Sequence, residues 1–343
     1  MPTATSQRNS NIEALRMLAM LMVLVLHSNF LISYPDENLD STSSLIKIAV
    51  QMVNICAVDV FVFISGWFKI KPSLRGLLAF LWQVFYFVAI LLFIQCFFNN
   101  GNISPKDFLM LFGLLGGGGW FVGSYIALYI LSPILNSFVE AASTKRLCIV
   151  TLSFFVFQTL WGLTLSVDFI TMGYSAFSFI GIYLLAQTLR RITISYDRRL
   201  WVIIFILCSI VDFLIYYISS KLGLIYIRDM VVAYINPLVI TQAVALFYIV
   251  VLTHDSKNKY INCFAKSCFG VYLFHVGTPF ALDTFKNVIT DVYANYNGII
   301  YFAHVLFVIV LVYITAIIMD LPRRYLWDKV FSKSLASTNK YVL

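Results

Sequence analysis

Arg16 and His27 lie eleven residues apart inside one apolar segment, Ile12–Ile32. A helix turns about 100° per residue, so eleven steps return to within roughly 20° of the starting face. The two side chains therefore share a stripe, about 16 Å apart at a rise of ~1.5 Å per residue. A guanidinium is a permanent cation with a planar fork of donors, and an imidazole takes up and releases a proton near neutrality. On insertion scales an Arg at the centre of a membrane helix costs roughly 2.5–3.5 kcal/mol. Residues kept at that cost line a cavity and act there, or they snorkel and hydrogen-bond as packing groups. Spacing alone leaves both readings open.

Other polar groups fall inside apolar runs. Asp59 sits in Val58-Asp59-Val60-Phe61, and Ser65-Gly66-Trp67 follows. A carboxylate in that setting stays ionised only if it meets a cation or an imidazole, so Arg16 or His27 on the preceding helix is the expected partner. A purely structural pair is the alternative. Gln51 and Asn54 are expected as interhelical hydrogen-bonders. Tyr272 and His275 are three apart and share a helix face, either lining a site or packing. Trp120, Tyr125 and Tyr129 suit an interfacial aromatic belt. That belt does not explain Gly116–Gly119, whose missing side chains let the backbone bend or approach a neighbour closely. His304 is expected to pack, His254 to be solvated in a loop, and Asp212 has no evident partner.

The elements that must hold these groups are membrane helices. The chain of 343 residues is 61% hydrophobic and 12% charged, against roughly 25% charged in soluble domains. Apolar runs long enough to cross a bilayer recur throughout. The pattern predicts an all-α polytopic membrane protein, a single domain over 1–343. About ten spans are expected, near 12–33, 45–68, 76–98, 120–139, 147–164, 174–189, 199–219, 231–252, 264–282 and 298–320. A short re-entrant or interfacial segment is expected near 103–119, and a short cytoplasmic tail over 321–343. With the N-terminus inside, 19 of the 24 Lys and Arg fall on the cytoplasmic side, leaving Lys47, Lys106, Lys221, Arg228 and Lys286 outside. That bias is the positive-inside pattern and places both termini in the cytoplasm. The net charge of +8 is thus a topology signal and gives no case for a nucleic-acid partner. The N-terminal stretch is too short and polar for a signal peptide. The six cysteines show neither metal-ligand nor disulfide spacing, and no metal site is expected.

Four blocks, in order, resemble the membrane-bound acyltransferases of family 3, the bacterial O-acyltransferases of envelope glycans. They are Arg16-x10-His27; Val58-Asp59-Val60-Phe61 with Ser65-Gly66-Trp67; Trp120-Phe121 with Tyr129-Ile130-Leu131-Ser132-Pro133; and Ser267-Cys268-Phe269-Gly270-Val271-Tyr272-Leu273-Phe274-His275. The chain is similar to the short branch, whose members act without a C-terminal esterase-like domain. Two departures stand out. Tyr125 occupies a place where larger members often carry Glu, and the paired arginines entering the third span are reduced to Arg75, with Lys69 and Lys71 before it.

The resemblance implies transfer of an acyl group, most often acetyl, from cytoplasmic acyl-CoA to a hydroxyl of an envelope glycan or glycolipid, at the cytoplasmic (inner) membrane. Acetyl-CoA or another acyl-CoA would be a co-substrate, with no tightly bound cofactor. Arg16, with Lys69, Lys71 and Arg75, would hold the CoA phosphates. His27 would act as general base, or carry the acyl group as an acyl-imidazole, with Asp59 orienting its ring. Trp120, Tyr129, Tyr272 and His275 are the candidates for the acceptor cleft. A transporter or flippase for a lipid-linked or small anionic substrate is the rival reading, since it too needs buried Arg, Asp and His facing a cavity.

Overall fold

A computed structural model describes residues 9–28, 38–98, 104–114, 117–164, 169–192, 197–254, 256–296 and 298–331. The ends of the expected first span and C-terminal tail, Gly116, and parts of the loops lie outside the described residues. Helices account for the described fold, with no strand among the described residues. They are α1 Ser10–Ser28, α2 Thr42–Asn54, α3 Ala57–Trp67, α4 Leu74–Phe98, α5 Asp107–Met110, α6 Gly119–Ala141, α7 Thr144–Thr164 and α8 Ala176–Arg191. There follow α9 Arg198–Lys221, α10 Ile225–Val231, α11 Pro237–Val251, α12 Lys259–Phe264, α13 Cys268–Val276, α14 Pro279–Asn295 and α15 Gly298–Leu326. Among the described residues seven segments are long and apolar enough to cross a membrane: α1, α2–α3 together, α4, α6, α7, α9 and α15 with its extension to Lys329. The apolar α11 is shorter. This is an all-α polytopic membrane protein.

Local chemistry sets where helices start. Ser41, Ser175, Asp197, Asn236, Asn258 and Thr278 each accept a backbone N–H of the helix that follows, as N-caps do. Pro237 and Pro279 occupy first turns, where a missing N–H costs nothing. The expected span over 264–282 differs from the structure. Its residues form the end of α12, a 3-10 turn, the nine-residue α13, and the start of the separate α14 beyond Gly277 and Thr278. Thr278, in extended conformation, caps α14 and so ends the preceding helix.

Three elements make the centre. Val60, Val62, Phe63 and Ile64 of α3, Val239, Ala245 and Phe247 of α11, and Ala19 and Leu24 of α1 are fully shielded. At Gly66 a Cβ would sit 2.9 Å from the Tyr183 carbonyl oxygen and 2.8 Å from the Ala186 Cβ, so only glycine lets α3 and α8 approach this closely. The outward faces are apolar too: Phe93 and Phe97 on α4, Leu207 and Leu214 on α9, Leu306 and Phe307 on α15. An apolar exterior over helices that satisfy their own backbone is what lipid requires.

Candidate active site

The first turn of α1 is tied to the α11–α12 connection. The Ser10 N–H bonds the Ser256 carbonyl at 2.8 Å, and Asn11 Nδ2 reaches Thr253 Oγ1 and the His254 carbonyl, each at 2.7 Å. With its start fixed, α1 presents Arg16, Met20, Val23, Leu26 and His27 to one cavity. Positions 16, 20, 23 and 27 advance by three or four residues, with Leu26 beside them, so the wall is a single helical stripe. The cavity holds about 350 Å³, within the range of small-molecule sites.

Its two ends differ in chemistry. Around Arg16 the wall carries Ser65, Gln83, Tyr125 and Lys266, the last exposed. Arg16 Nη1 pairs with Glu13 Oε1 at 2.6 Å. Tyr125, the departure from the family pattern, meets Ser65 Oγ at 3.4 Å. Behind Gln83 lies a buried cluster on the last turns of α15. Asp320 accepts from Arg323 Nε at 2.5 Å, from Ser267 Oγ at 2.8 Å and from Gln83 Nε2 at 3.3 Å. A buried carboxylate with its cation and two further donors meets the condition for keeping a charge out of water.

Around His27 the wall is neutral and aromatic, with Gln51, Trp120, Tyr174, Tyr234 and Tyr272. Trp120 meets Tyr174 edge-on at 4.8 Å between ring centroids and stacks on Tyr234 at 6.0 Å. Gly118 and Gly119, both left-handed (φ 74° and 67°), turn the chain into α6, and the Gly118 N–H bonds the Gly277 carbonyl at 2.9 Å. That bond pins the start of α6 to the end of α13.

His275 lies directly behind His27. His27 Nδ1 and His275 Nε2 are 2.9 Å apart, and His275 Nδ1 is 2.7 Å from the Val271 carbonyl. A carbonyl only accepts, so Nδ1 of His275 carries the hydrogen. In the neutral ring Nε2 is then an acceptor, and Nδ1 of His27 must be the donor. That leaves Nε2 of His27 with its lone pair free, on a ring that lines the cavity.

Several expected site residues stand elsewhere. Asp59 is buried in α3, but the cavity wall from that helix is Val58, Phe61 and Ser65. Its Oδ2 has no hydrogen-bond partner among the described residues, and the contact to His27 expected of it is made by His275. Period 3.6 gives the reason: position 59 turns away from the face carried by 58, 61 and 65. Lys69 pairs with Glu140, and neither it nor Lys71 nor Arg75 is on the wall. Tyr129 is also off the wall. Its hydroxyl donates to the Ser73 carbonyl at 3.0 Å and accepts the Ser73 N–H at 2.9 Å, which fixes the start of α4.

Lys266, Gln51 and Gln83 are wall residues not expected from the sequence. Lys266 carried a signal, since it precedes the Ser267–His275 block by one residue; Gln51 and Gln83 carried none beyond polarity in an apolar run. Asp212 bonds Asn236 Nδ2 at 3.0 Å, so its partner is the cap of α11. His304 stacks on Tyr296 at 3.8 Å, away from the cavity. Among the described residues no three His, Cys, Asp or Glu side chains gather as a metal site.

The molecule is a polytopic helical membrane protein with Arg16 and His27 on one cavity, and its class is that of the membrane acyltransferases. A family model described as an acyltransferase domain matches residues 9–321, and the chain belongs to this acyltransferase family, family 3. No curated protein and no solved structure matches the chain.

Proposed function

We propose that the chain transfers an acyl group, acetyl by preference, from acyl-CoA to a hydroxyl of an envelope glycan or glycolipid, with His27 as general base. One observation carries this reading: Arg16 and His27, about 16 Å apart by helix rise, line the same cavity. An extended pantetheine arm is on the order of 15–20 Å long. A donor whose phosphates rest at Arg16 and Lys266 therefore brings its thioester to His27. The guanidinium fork suits phosphate oxygens, and the exposed ammonium of Lys266 adds a point charge at the same end.

At the other end the free Nε2 lone pair of His27 takes the acceptor's proton as the hydroxyl oxygen attacks the thioester carbon. His275 fixes the tautomer and the ring orientation, the part that sequence reasoning gave to Asp59. Trp120, Tyr174 and Tyr234 offer flat faces to an acceptor ring. The basic bias of the loops supports a cytoplasmic-leaflet position for the Arg16 end in the inner membrane, the side on which acyl-CoA is available.

Purified protein in liposomes, given labelled acetyl-CoA and an envelope glycan, is expected to move label to the glycan. CoA should be released only when both substrates are present. Label trapped on His27 without acceptor would replace the direct attack by a covalent relay. Absence of acyl transfer, with substrate crossing the bilayer unmodified, would overturn the reading.

A further inference from the structure

Tyr272 is a buried cavity-wall residue with an unspent proton. Its side chain is 6% exposed, and its hydroxyl has no hydrogen-bond partner among the described residues by distance and angle. The backbone N–H of Phe121 is directed at that oxygen, which leaves the hydroxyl hydrogen as the unspent group. The ring is fixed on both faces, stacked with Phe269 at 5.9 Å and tilted against Phe121 at 5.5 Å between centroids. A buried hydroxyl without an acceptor is costly, so the position favours a ligand atom there.

The second observation is the start of α6. Its N-cap, Gly118, has no side chain to cap the helix. Apart from that of Phe121, the first-turn N–H groups are left without a cap, and they carry the positive end of the helix dipole. Trp120 and Phe121 of this turn line the cavity beside Tyr272. A Cβ on Gly119 would come within 2.7 Å of the Tyr272 hydroxyl, so only glycine lets the turn and the hydroxyl approach this closely. Tyr272 is also next to the histidine pair. Its ring meets His275 at 6.0 Å, and His275 meets His27 at 5.1 Å.

We infer that the Tyr272 hydroxyl, with the first turn of α6, binds the thioester carbonyl oxygen and stabilises the negative charge it acquires during transfer. The inference rests on the acyl-transfer reading above. The acceptor oxygen forms a bond to the carbonyl carbon while its proton passes to His27 Nε2. The carbonyl π pair moves onto oxygen, where the Tyr272 O–H and the helix start donate to it. Collapse restores the carbonyl and breaks the carbon–sulfur bond. The leaving sulfur takes the proton from His27, giving the ester and CoA thiol. Donors aimed at the developing oxyanion serve the transition state more than the ground state, so their loss lowers kcat and spares binding.

Tyr272→Phe removes one oxygen from a ring held by its neighbours. It is expected to lower kcat about 100-fold. Affinity for an S-alkyl CoA thioether, which lacks the carbonyl, should stay within twofold. Affinity for a trifluoromethyl ketone analogue of acyl-CoA, which forms a tetrahedral oxyanion, should fall with kcat. Wild-type turnover by Tyr272→Phe, or an equal loss of thioether affinity, would overturn the inference. A second measurement needs no change at Tyr272. In His27→Ala protein loaded with 13C-labelled acetyl-CoA, the thioester carbonyl stretch should shift to lower wavenumber, and an unshifted band would overturn the inference. Full turnover by His27→Ala would instead overturn the underlying reading, so the two failures are distinguishable.

Discussion

The two ends of the cavity are built on opposite principles. The Arg16 end collects charge: Arg16, Glu13 and Lys266, backed by the buried Asp320–Arg323 cluster. The His27 end carries an imidazole, an amide, aromatic rings and aliphatic side chains on its wall, with no fixed charge. A cationic end grips polyanions over a range of distances, because Coulomb attraction falls slowly where water is scarce. A neutral, aromatic end selects shape. On the proposed function the first end sets donor affinity and the second sets the chemical step.

The sharpest way to break that division is at His275, which touches His27 and not the cavity. His275→Ala is expected to lower kcat about 100-fold by releasing the tautomer and orientation of His27, with KM for acyl-CoA unchanged. His275→Asn, whose side chain still offers an acceptor toward His27, should recover part of the loss. Steady-state kinetics on both variants check this, and a change confined to KM would place His275 among binding groups.

A smaller effect sharpens the other end. Lys266→Gln is expected to raise KM for acyl-CoA about fivefold, from roughly 1 kcal/mol of partly screened attraction. Added salt should narrow the gap, since the ammonium is exposed. Lys69→Gln should leave KM unchanged, because that ammonium is paired with Glu140 away from the wall. Equal effects of the two substitutions would show that the basic surface acts as a whole.

Most of the class was legible in the sequence, and so was the α1 stripe. Length and apolarity decide which segments cross a bilayer, and a rotation of 100° per residue decides that 16, 20, 23 and 27 share a face. What failed was partner choice between helices. Asp59 was the expected partner of His27, and His275 takes that place because of the rotation of α3 and α13 about their axes. The Asp212–Asn236 bond spans 24 residues and the Gln83–Asp320 bond 237, distances over which no local pattern operates. The division of 264–282 into α13 and α14 was also hidden. It turns on the extended backbone of Thr278, and hydropathy averages over a single such residue.

The most direct test sets Arg16→Lys beside His27→Ala in the same liposomes, with labelled acetyl-CoA as donor. Lysine keeps a charge for Glu13 but loses the fork, so KM for the donor should rise about tenfold with kcat near wild type. His27→Ala should lower kcat about 1,000-fold with KM unchanged. Undiminished turnover in His27→Ala, or parallel losses of kcat in both variants, would contradict a cavity that anchors its donor at one end and reacts at the other.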